Sequence, residues 1–305
     1  MDLITSSPPA KAHSDTVPLA HIGAYVRLVR PANLVTAAAD VIAGYLVAGG
    51  GSDALGWLIG ASVCLYAGGV VLNDYFDRDL DSVERPERPL PQGLVSARAA
   101  AVLGVLLLSS GVAAAFYAST ITGVIAVCIA MAVLLYDAVA KEQSIGPVVM
   151  GTCRALNLLM GLTVAPALLG HTWLWMLLPL AYIGGLTLLS RDEVFGGSRT
   201  GSAAMLGVLS FVVVGITVMQ GVSVERWLRV FPFIALLLLK VVPPLWRAYR
   251  RPEAIQIRAA VHAGVVSLIV LDAAIAAGSA GVVLGAAIVS LSVVAMELGR
   301  IFPVT

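Results

Sequence analysis

Residues 70–93 read VVLNDYFDRDLDSVERPERPLPQG, a stretch that turns from apolar to densely charged within a few residues. If the preceding helix continues, Asn73, Asp77 and Asp81 lie at i, i+4 and i+8 on one face, and Asp74 lies beside them. Like charges that share a helix face repel, so they need a counter-charge. Mg²⁺ binds carboxylate oxygens together with substrate phosphates. The pattern therefore predicts a Mg²⁺–diphosphate site; the alternative is a solvated helix end whose charges reach the membrane interface.

The composition indicates a membrane protein. The 305 residues are 59% hydrophobic and 12% charged, and the mean hydropathy is +0.94, whereas soluble domains are about 25% charged. A membrane-spanning helix needs about 20 mostly apolar residues. Hydropathy predicts ten such segments, at 24–48, 54–76, 97–116, 119–136, 147–169, 173–190, 203–221, 228–246, 259–277 and 281–298.

The basic residues are distributed unevenly between the loops. Lys and Arg concentrate in the loops after the even-numbered segments, whereas Arg226 is the only strong base after the odd-numbered ones. The positive-inside rule then places the even loops in the cytoplasm. Residues 1–22 are predicted to form a disordered cytoplasmic tail and residues 23–305 one membrane domain. We expect an integral protein of a bacterial inner membrane, with its active site on the cytoplasmic side.

Four segments resemble the UbiA superfamily of intramembrane prenyltransferases. NDYFDRDLDSVERPERP is similar to the family's first aspartate-rich motif, NDxxDxxxD followed by RPxRP. RLVRPANLVTAAADVIAGYL at 27–46 resembles its first helix, LLYDAVAKE at 134–142 the segment after its fourth helix, and GTCRALNLLMG at 151–161 the start of its fifth. The resemblance implies an all-α polytopic membrane bundle of nine or ten helices around a central cavity, since the family commonly has nine and hydropathy predicts ten.

The resemblance also implies a reaction: Mg²⁺-dependent transfer of a prenyl group from an isoprenyl diphosphate to an aromatic or other apolar acceptor inside the membrane. Mg²⁺ is the expected cofactor. The expected partners are the prenyl diphosphate, the small hydrophobic acceptor and membrane lipid, and no nucleic acid. Carboxylate-bound Mg²⁺ would neutralise the leaving diphosphate, Lys or Arg would add charge-assisted hydrogen bonds, and a water-poor pocket would protect the allylic cation.

The match to the family motifs assigns a role to each residue. The predicted metal ligands are Asn73, Asp74, Asp77, Asp81, Asp192 and Glu193. The predicted catalytic residues are Asp77, Asp81, Lys141 and Tyr136, and the predicted diphosphate-binding residues are Asn73, Arg78, Arg154, Arg191 and Asn33. Tyr136 could lie over the allylic cation or belong to an interfacial aromatic belt. Arg154, a charge inside an apolar run, is a functional candidate or a structural partner of Asp40 or Asp272. Asp137 stands where the family often has Ser.

The second acidic motif departs from the family pattern. The family usually has DxxxD after its sixth helix, whereas LTLLSRDEVFGGSRTGS at 186–202 aligns Glu193 with the second acid and Leu189 with the first. Adjacent helix residues diverge by about 100°, so Asp192 and Glu193 do not share a face unless the turn unwinds. This form resembles an EboC-like branch of the family. Two alternatives stay open: a carrier or transporter with the same fold, and a terpene cyclase.

Overall fold

The computed structural model describes residues 17–193 and 196–302, and every regular element within these ranges is a helix. The first helices are α1 (Val17–Val29), α2 (Pro31–Val47), α3 (Leu55–Phe76), α4 (Arg78–Glu84), α5 (Ala97–Ala118), α6 (Thr120–Leu135) and α7 (Gly146–Leu162). They are followed by α8 (Leu169–Thr172), α9 (Leu177–Ser190), α10 (Thr200–Met219), α11 (Val224–Arg250), α12 (Ala254–Ala280) and α13 (Val282–Ile301). The all-α prediction is confirmed.

A helix covers each of the ten predicted apolar segments. Within the described ranges, eight helical stretches are long and apolar enough to cross a membrane. Helices α2 and α7 have 17 residues each, which is short for a span. The chain is therefore an integral membrane protein, but the expected count of nine or ten spans is not confirmed. Residues 1–16 of the predicted tail lie outside the described part of the chain, and α1 begins at Val17.

Helix α12 occupies the centre of the bundle. Of its most apolar 18-residue window, 67% is buried, the largest buried share among the eight candidate spans of the described chain. Its sequence is rich in Ala, and it packs against α2, α9, α11 and α13. Small side chains let helix backbones approach closely, which is how helices associate without a hydrophobic driving force in lipid.

Two glycines bring α2 and α7 into backbone contact. A Cβ atom on Gly44 would lie 2.1 Å from the carbonyl oxygen of Leu158, and one on Gly161 would lie 2.2 Å from that of Val41. Any larger residue at either position would push the two helices apart. This contact holds together the preceding turns of the two helices, which carry Asp40 on α2 and Asn157 on α7.

The loop after α4 folds back onto α3. The backbone N–H groups of Leu94 and Val95 both donate to the carbonyl of Pro89, and the turn includes Gly93 at φ 70°, a conformation that glycine adopts without steric cost. Val95 then packs against Val71 of α3 in a small apolar cluster. The fold-back carries Arg88 beneath the charged end of α3.

Candidate active site

A cavity of about 230 Å³ opens between α2, α3, α6 and α7. Its walls are apolar and aromatic in the middle and polar at both ends. The lining residues are Arg30, Ala37, Ser62, Leu65, Tyr66, Gly69, Val70, Asn73, Ile129, Val133, Tyr136, Asp137, Lys141, Met150, Cys153, Arg154 and Asn157. An apolar pocket with a few converging polar groups is the usual form of a small-molecule site.

The mouth of the cavity holds the first motif, and we call its ion-paired residues the mouth cluster: Arg30, Asp74, Asp77, Asp81, Arg88 and Lys141. Arg88 bridges two of the acids, because its Nη1 lies 3.2 Å from Asp74 Oδ1 and 2.6 Å from Asp81 Oδ2. Arg30 Nη2 also lies 2.5 Å from Asp74 Oδ1. All three bases come from outside α3 and α4. The counter-charge predicted for this helix face is therefore provided by basic side chains from other segments of the chain.

The other half of the mouth faces α6. Lys141 pairs with Asp77, and Asn73 Nδ2 donates to Asp137 Oδ1 at 2.9 Å. The second oxygen of Asp137 is buried and has no partner among the described residues. Carboxylate and amide oxygens are the ligands that a hard divalent cation takes, so this unpaired oxygen is one available ligand, whereas the nearby Lys141 opposes a cation.

The helix continues across the motif in the way the sequence pattern requires. Helix α3 ends at Phe76 and α4 begins at Arg78, yet helical hydrogen bonds continue across this break. The backbone N–H of Asp77 donates to the carbonyl of Asn73 at 2.9 Å, and that of Asp81 donates to the carbonyl of Asp77 at 2.8 Å. The pairing differs from the predicted single face. Asn73 and Asp77 interact with the end of α6, whereas Asp74 and Asp81, seven residues apart, share Arg88.

The acids are held apart by bases rather than clustered. Within the described ranges, no group of three or more His, Cys, Asp or Glu side chains is arranged to hold a metal ion. Each motif aspartate instead contacts an arginine or the lysine. The predicted metal roles of Asn73 and the three aspartates therefore stay predictions, and a cation would have to replace at least one of these ion pairs.

The inner end of the cavity is a second charged group, the floor cluster, defined by Asp40, Arg154 and Asp272. Arg154 Nη1 donates to Asp40 Oδ2 at 2.6 Å and its Nη2 to Thr36 at 2.6 Å. The guanidinium also lies 4.7 Å from the centre of the Tyr66 ring, a cation–π distance. The structural partner that the sequence left open for Arg154 is therefore Asp40.

Tyr136 lies where α6 changes its helical pitch. Residues Tyr136–Ala140 form a π-helical turn, closed by a bond from the Lys141 N–H to the Tyr136 carbonyl at 3.0 Å. Such turns occur mostly as single insertions and are common at functional sites. The extra residue of the π-helical turn directs the side chains of Tyr136 and Lys141 towards the cavity, and both residues line it.

Several predicted residues lie away from the cavity. Arg78 folds back on Tyr75, with its guanidinium 4.9 Å from the ring centre, and Asn33 is not a lining residue. Arg191 donates to the carbonyl of Gln143 and so braces the loop between α6 and α7. Asp192 and Glu193 are also absent from the cavity lining. The motif aspartates are not lining residues either, but Asp74 and Asp77 pair with Arg30 and Lys141, which are. The diphosphate and metal roles of all these residues stay predictions.

The second acidic segment is not helical at its acids. Helix α9 ends at Ser190, and Asp192 and Glu193 lie in a turn in which Glu193 N–H donates to Ser190 at 3.1 Å. Of the two alternatives that the sequence left open, a helical pair about 100° apart or an unwound turn, the structure shows the turn, because the helix stops first. Leu189, aligned with the missing first acid, is 1% exposed and belongs to the apolar core.

The turn is nevertheless charged and partly enclosed. Burial raises the pKa of Glu193, and the guanidinium groups of Arg85 and Arg258 oppose that rise. Arg85 belongs to the loop that follows the first motif. Glu193 of the second acidic segment therefore interacts electrostatically with Arg85, next to the first motif, although the acids of the two segments do not converge on one point.

Sequence reasoning missed some contributors to the site. The sequence identifies Arg88 and Arg30 only as members of the matched motifs, and Asp137 only as a departure from the family pattern, and it assigns no role to any of the three. Arg30 has φ 51°, an uncommon conformation for a residue other than glycine. It precedes Pro31 at the start of α2, and this strained conformation is visible only in the structure. In the sequence, the available signal was an arginine directly before a proline, as in the RPxRP part of the first motif.

A profile of the UbiA prenyltransferase family matches residues 37–261. The chain belongs to this family. It is 34% identical to digeranylgeranylglyceryl phosphate synthase of Methanopyrus kandleri over 186 residues, which cover 58% of this chain and 66% of that protein. It is 37% identical to the enzyme of the same name from Halobacterium salinarum over 188 residues, which cover 61% of this chain and 56% of that protein. The matched region thus spans about 56–66% of these two relatives.

Solved structures share the fold. A UbiA homolog from Aeropyrum pernix superimposes with a TM-score of 0.65 at 18% identity, covering 80% of this chain and 96% of that one. A UbiA homolog from Archaeoglobus fulgidus, bound to GPP and Mg²⁺, has a TM-score of 0.52 at 13% identity, covering 88% and 99%. At these identities the likeness establishes the helical membrane fold.

Proposed function

We propose that this chain is a Mg²⁺-dependent prenyltransferase that transfers a prenyl group from an isoprenyl diphosphate to an acceptor within the membrane. The observation that carries the proposal is the mouth cluster. Three motif carboxylates are each paired with a base, and two of these bases, Arg30 and Lys141, line an apolar cavity of about 230 Å³. Such an arrangement offers acids for a cation, bases for a diphosphate and apolar walls for an isoprenoid.

Two groups of residues act on the diphosphate in this proposal. Asn73, Asp74, Asp77 and Asp81 would hold Mg²⁺, which supplies Lewis-acid neutralisation of the leaving diphosphate. Arg88 and Lys141, released from the carboxylates by the metal, would donate charge-assisted hydrogen bonds to diphosphate oxygens.

The cavity itself would protect the reactive cation. Val133 and Ile129 line one wall and keep water from the allylic cation. Tyr136 lines the cavity, and in this proposal its ring stabilises the cation through its π face. The apolar wall and the ring act together, because a cation–π interaction strengthens when water is excluded.

The acceptor is the finer part of the proposal. Two relatives at 34–37% identity are named digeranylgeranylglyceryl phosphate synthase, which supports a glycerol phosphate lipid as the acceptor. An aromatic acceptor, expected from the sequence, is the second candidate, because the Tyr66 and Tyr136 rings line the cavity and could stack on it. The EboC-like branch stays a prediction.

The orientation is proposed from charge. Lys141, Arg88 and Arg191 belong to loops on the Lys- and Arg-rich side of the predicted topology, so the mouth would open to the cytoplasm. The expected membrane is a cytoplasmic membrane, bacterial by the sequence-based expectation, although the relatives reported above are archaeal. A cysteine placed at position 85 should resist labelling from outside intact cells, and ready labelling there would reverse the orientation.

The test uses the full-length protein in nanodiscs with Mg²⁺ and geranylgeranyl diphosphate. A glycerol phosphate ether lipid or an aromatic phenol is added as acceptor, and product mass and pyrophosphate release are measured. Prenylated product from one acceptor, lost in Asp77→Asn and retained in Asp79→Asn, is the expected result. Asp79 is the matched control, because it lies in the same motif with its side chain 89% exposed.

Two outcomes would overturn the proposal. Pyrophosphate release with a cyclised hydrocarbon and no acceptor product would indicate a terpene cyclase. Binding of the diphosphate without turnover on either acceptor would indicate a carrier.

A further inference from the structure

Two buried carboxylates on neighbouring helices share one buried arginine in the floor cluster. Asp40 on α2 and Asp272 on α12 are both fully buried, and Arg154 on α7 is 7% exposed. Arg154 and Asn157 both donate to Asp40 Oδ2, at 2.6 Å and 3.0 Å. If both acids were ionised, the cluster would carry two negative charges against one positive charge in the centre of a membrane protein.

Asp272 has no donor to stabilise a negative charge. Among the residues the structure describes, neither of its oxygens accepts a hydrogen bond, and Oδ1 of Asp40 is also without a partner. Asp272 on α12 faces α2, which carries Asp40, and Asp40 is the acid that interacts with it electrostatically. Two carboxylate oxygens can hydrogen-bond only if one of them carries a proton, because neither has a hydrogen otherwise.

The surrounding helices supply no second cation. The titratable and charged groups that interact with Asp272 are Asp40 from α2, Arg154 from α7 and Tyr182 from α9. Tyr182 donates its hydroxyl to the carbonyl of Gly264 at 2.9 Å, so its proton is already engaged. An isolated ionised carboxylate in such a place is costly, and a buried acid takes up a proton instead.

We propose that Asp40 and Asp272 bind one proton between them at neutral pH and so make the cluster with Arg154 electrically neutral. The proton comes from water and is held in an O–H···O hydrogen bond between Asp272 and the free oxygen of Asp40. The other oxygen of Asp40 remains the acceptor for Arg154. Because Arg154 also lines the cavity, the proton site is a positioning device for a cationic side chain in the cavity wall.

Charge counting makes an unusual prediction for the variants. Asp272→Asn leaves the Asp40–Arg154 ion pair intact, and that cluster is neutral without the proton, so the thermal midpoint should shift by less than about 4 °C. Asp40→Asn removes the carboxylate that Arg154 contacts and leaves Asp272 as the remaining negative charge, so its midpoint should fall further. The double variant leaves Arg154 without a counter-ion and should lower the midpoint by about 10 °C or more, well beyond the sum of the single changes.

The experiment measures the proton directly, on ligand-free, full-length protein in nanodiscs, and so does not depend on the proposed transfer activity. Infrared spectroscopy at neutral pH should detect the carbonyl band of a protonated carboxylic acid, which shifts in D₂O. Both Asp272→Asn and Asp40→Asn should remove that band, and Glu297→Gln should keep it, since Glu297 is an exposed acid paired with Arg300.

Three results would overturn the proposal: no such band in the folded wild type, a band unchanged in Asp272→Asn, or additive melting shifts in the double variant. Melting of the wild type is also compared in sodium and choline buffers. A thermal midpoint that depends on Na⁺ would indicate a bound metal cation in place of the proton. A thermal midpoint that is independent of Na⁺ is the result expected for the proton.

Discussion

The mouth cluster and the floor cluster use the same kinds of residue and differ in the access of one ion pair to water. At the mouth, the side chains of Lys141 and Asp77 are 28% and 11% exposed, whereas those of Arg88 and Asp81 are 6% and 3% exposed. At the floor, the side chain of Arg154 is 8% exposed. Both clusters pair carboxylates with bases, and the Lys141–Asp77 pair is the one best placed to exchange a partner with an ion in solution.

The difference follows from the cost of removing charge from water. An ion pair that keeps contact with water contributes about 0–1 kcal/mol, so a metal ion or a diphosphate can displace one partner cheaply. A buried pair is different, because removing one partner leaves an unpaired charge and costs about 3–5 kcal/mol. The Lys141–Asp77 pair is therefore suited to exchanging a partner on binding, and the floor to holding Arg154 in place.

Removing the arginine of the floor cluster should have the largest effect. Arg154→Gln leaves Asp40 without its counter-charge, and we expect the free energy of unfolding to fall by about 3–5 kcal/mol. Unfolding in mixed micelles, followed by circular dichroism, measures the change. Arg300→Gln is the control, because this arginine pairs with Glu297 on the surface of α13 and should contribute less than about 1 kcal/mol. Equal losses in the two variants would contradict the comparison.

At the mouth, Asp77→Asn should reduce prenyl transfer about 100-fold, the size expected when one preorganised charge-stabilising group is lost. This corresponds to about 2.7 kcal/mol. The thermal midpoint should change little, because Lys141 can turn to water. Steady-state pyrophosphate release measures the activity, and Asp79→Asn should stay close to wild type. A large fall in stability together with unchanged Mg²⁺ affinity would make Asp77 a structural residue.

The sequence predicted the helices well because hydropathy determines them. Most of each apolar segment is helical, although the first is divided between α1 and α2 and the fifth extends beyond the end of α7. The motif spacing also predicted that Asn73, Asp77 and Asp81 lie on successive turns of one nearly continuous helix. The same spacing could not predict the partners of the acids. Arg88 meets Asp74 and Asp81 only because the loop after α4 folds back, and that return depends on Val95 packing on Val71.

The second acidic segment was less predictable for a related reason. An alignment assigned Leu189 to an acid position, but local spacing does not reveal which face of α9 enters the core. The structure places Leu189 in that core and ends the helix one residue later. The floor cluster is similar, since Asp40 and Asp272 lie 232 positions apart in the sequence, from 40 to 272, and only the three-dimensional packing of α2, α7 and α12 brings them together.

Arg88→Gln should have an intermediate effect on diphosphate binding. It tests whether the ion pairs of Arg88 with Asp74 and Asp81 are exchanged for Mg²⁺ and diphosphate or are permanent. Loss of its charge-assisted hydrogen bonds should weaken binding of a non-hydrolysable prenyl diphosphate about tenfold, or about 1.4 kcal/mol. Mg²⁺ alone should stabilise this variant more than wild type, because Asp74 and Asp81 then lack their shared base and repel each other. Thermal shifts with and without Mg²⁺ measure this. A smaller Mg²⁺ shift in the variant would show that the metal does not bind between these acids.

The smallest effect is expected at the second acidic segment. Asp192 and Glu193 lie in a turn that is not part of the cavity lining, so Glu193→Gln should weaken Mg²⁺-dependent diphosphate binding by less than about tenfold, under 1.4 kcal/mol. Asp192→Asn should weaken it less, because Glu193 is the acid that interacts with Arg85, next to the first motif. Isothermal titration with a non-hydrolysable prenyl diphosphate compares the two variants. A loss of 100-fold or more in Glu193→Gln would mean that the turn closes over the diphosphate and that the mouth cluster is only half of the binding site. If only Asp192→Asn weakens binding, the alignment that selects Glu193 is wrong.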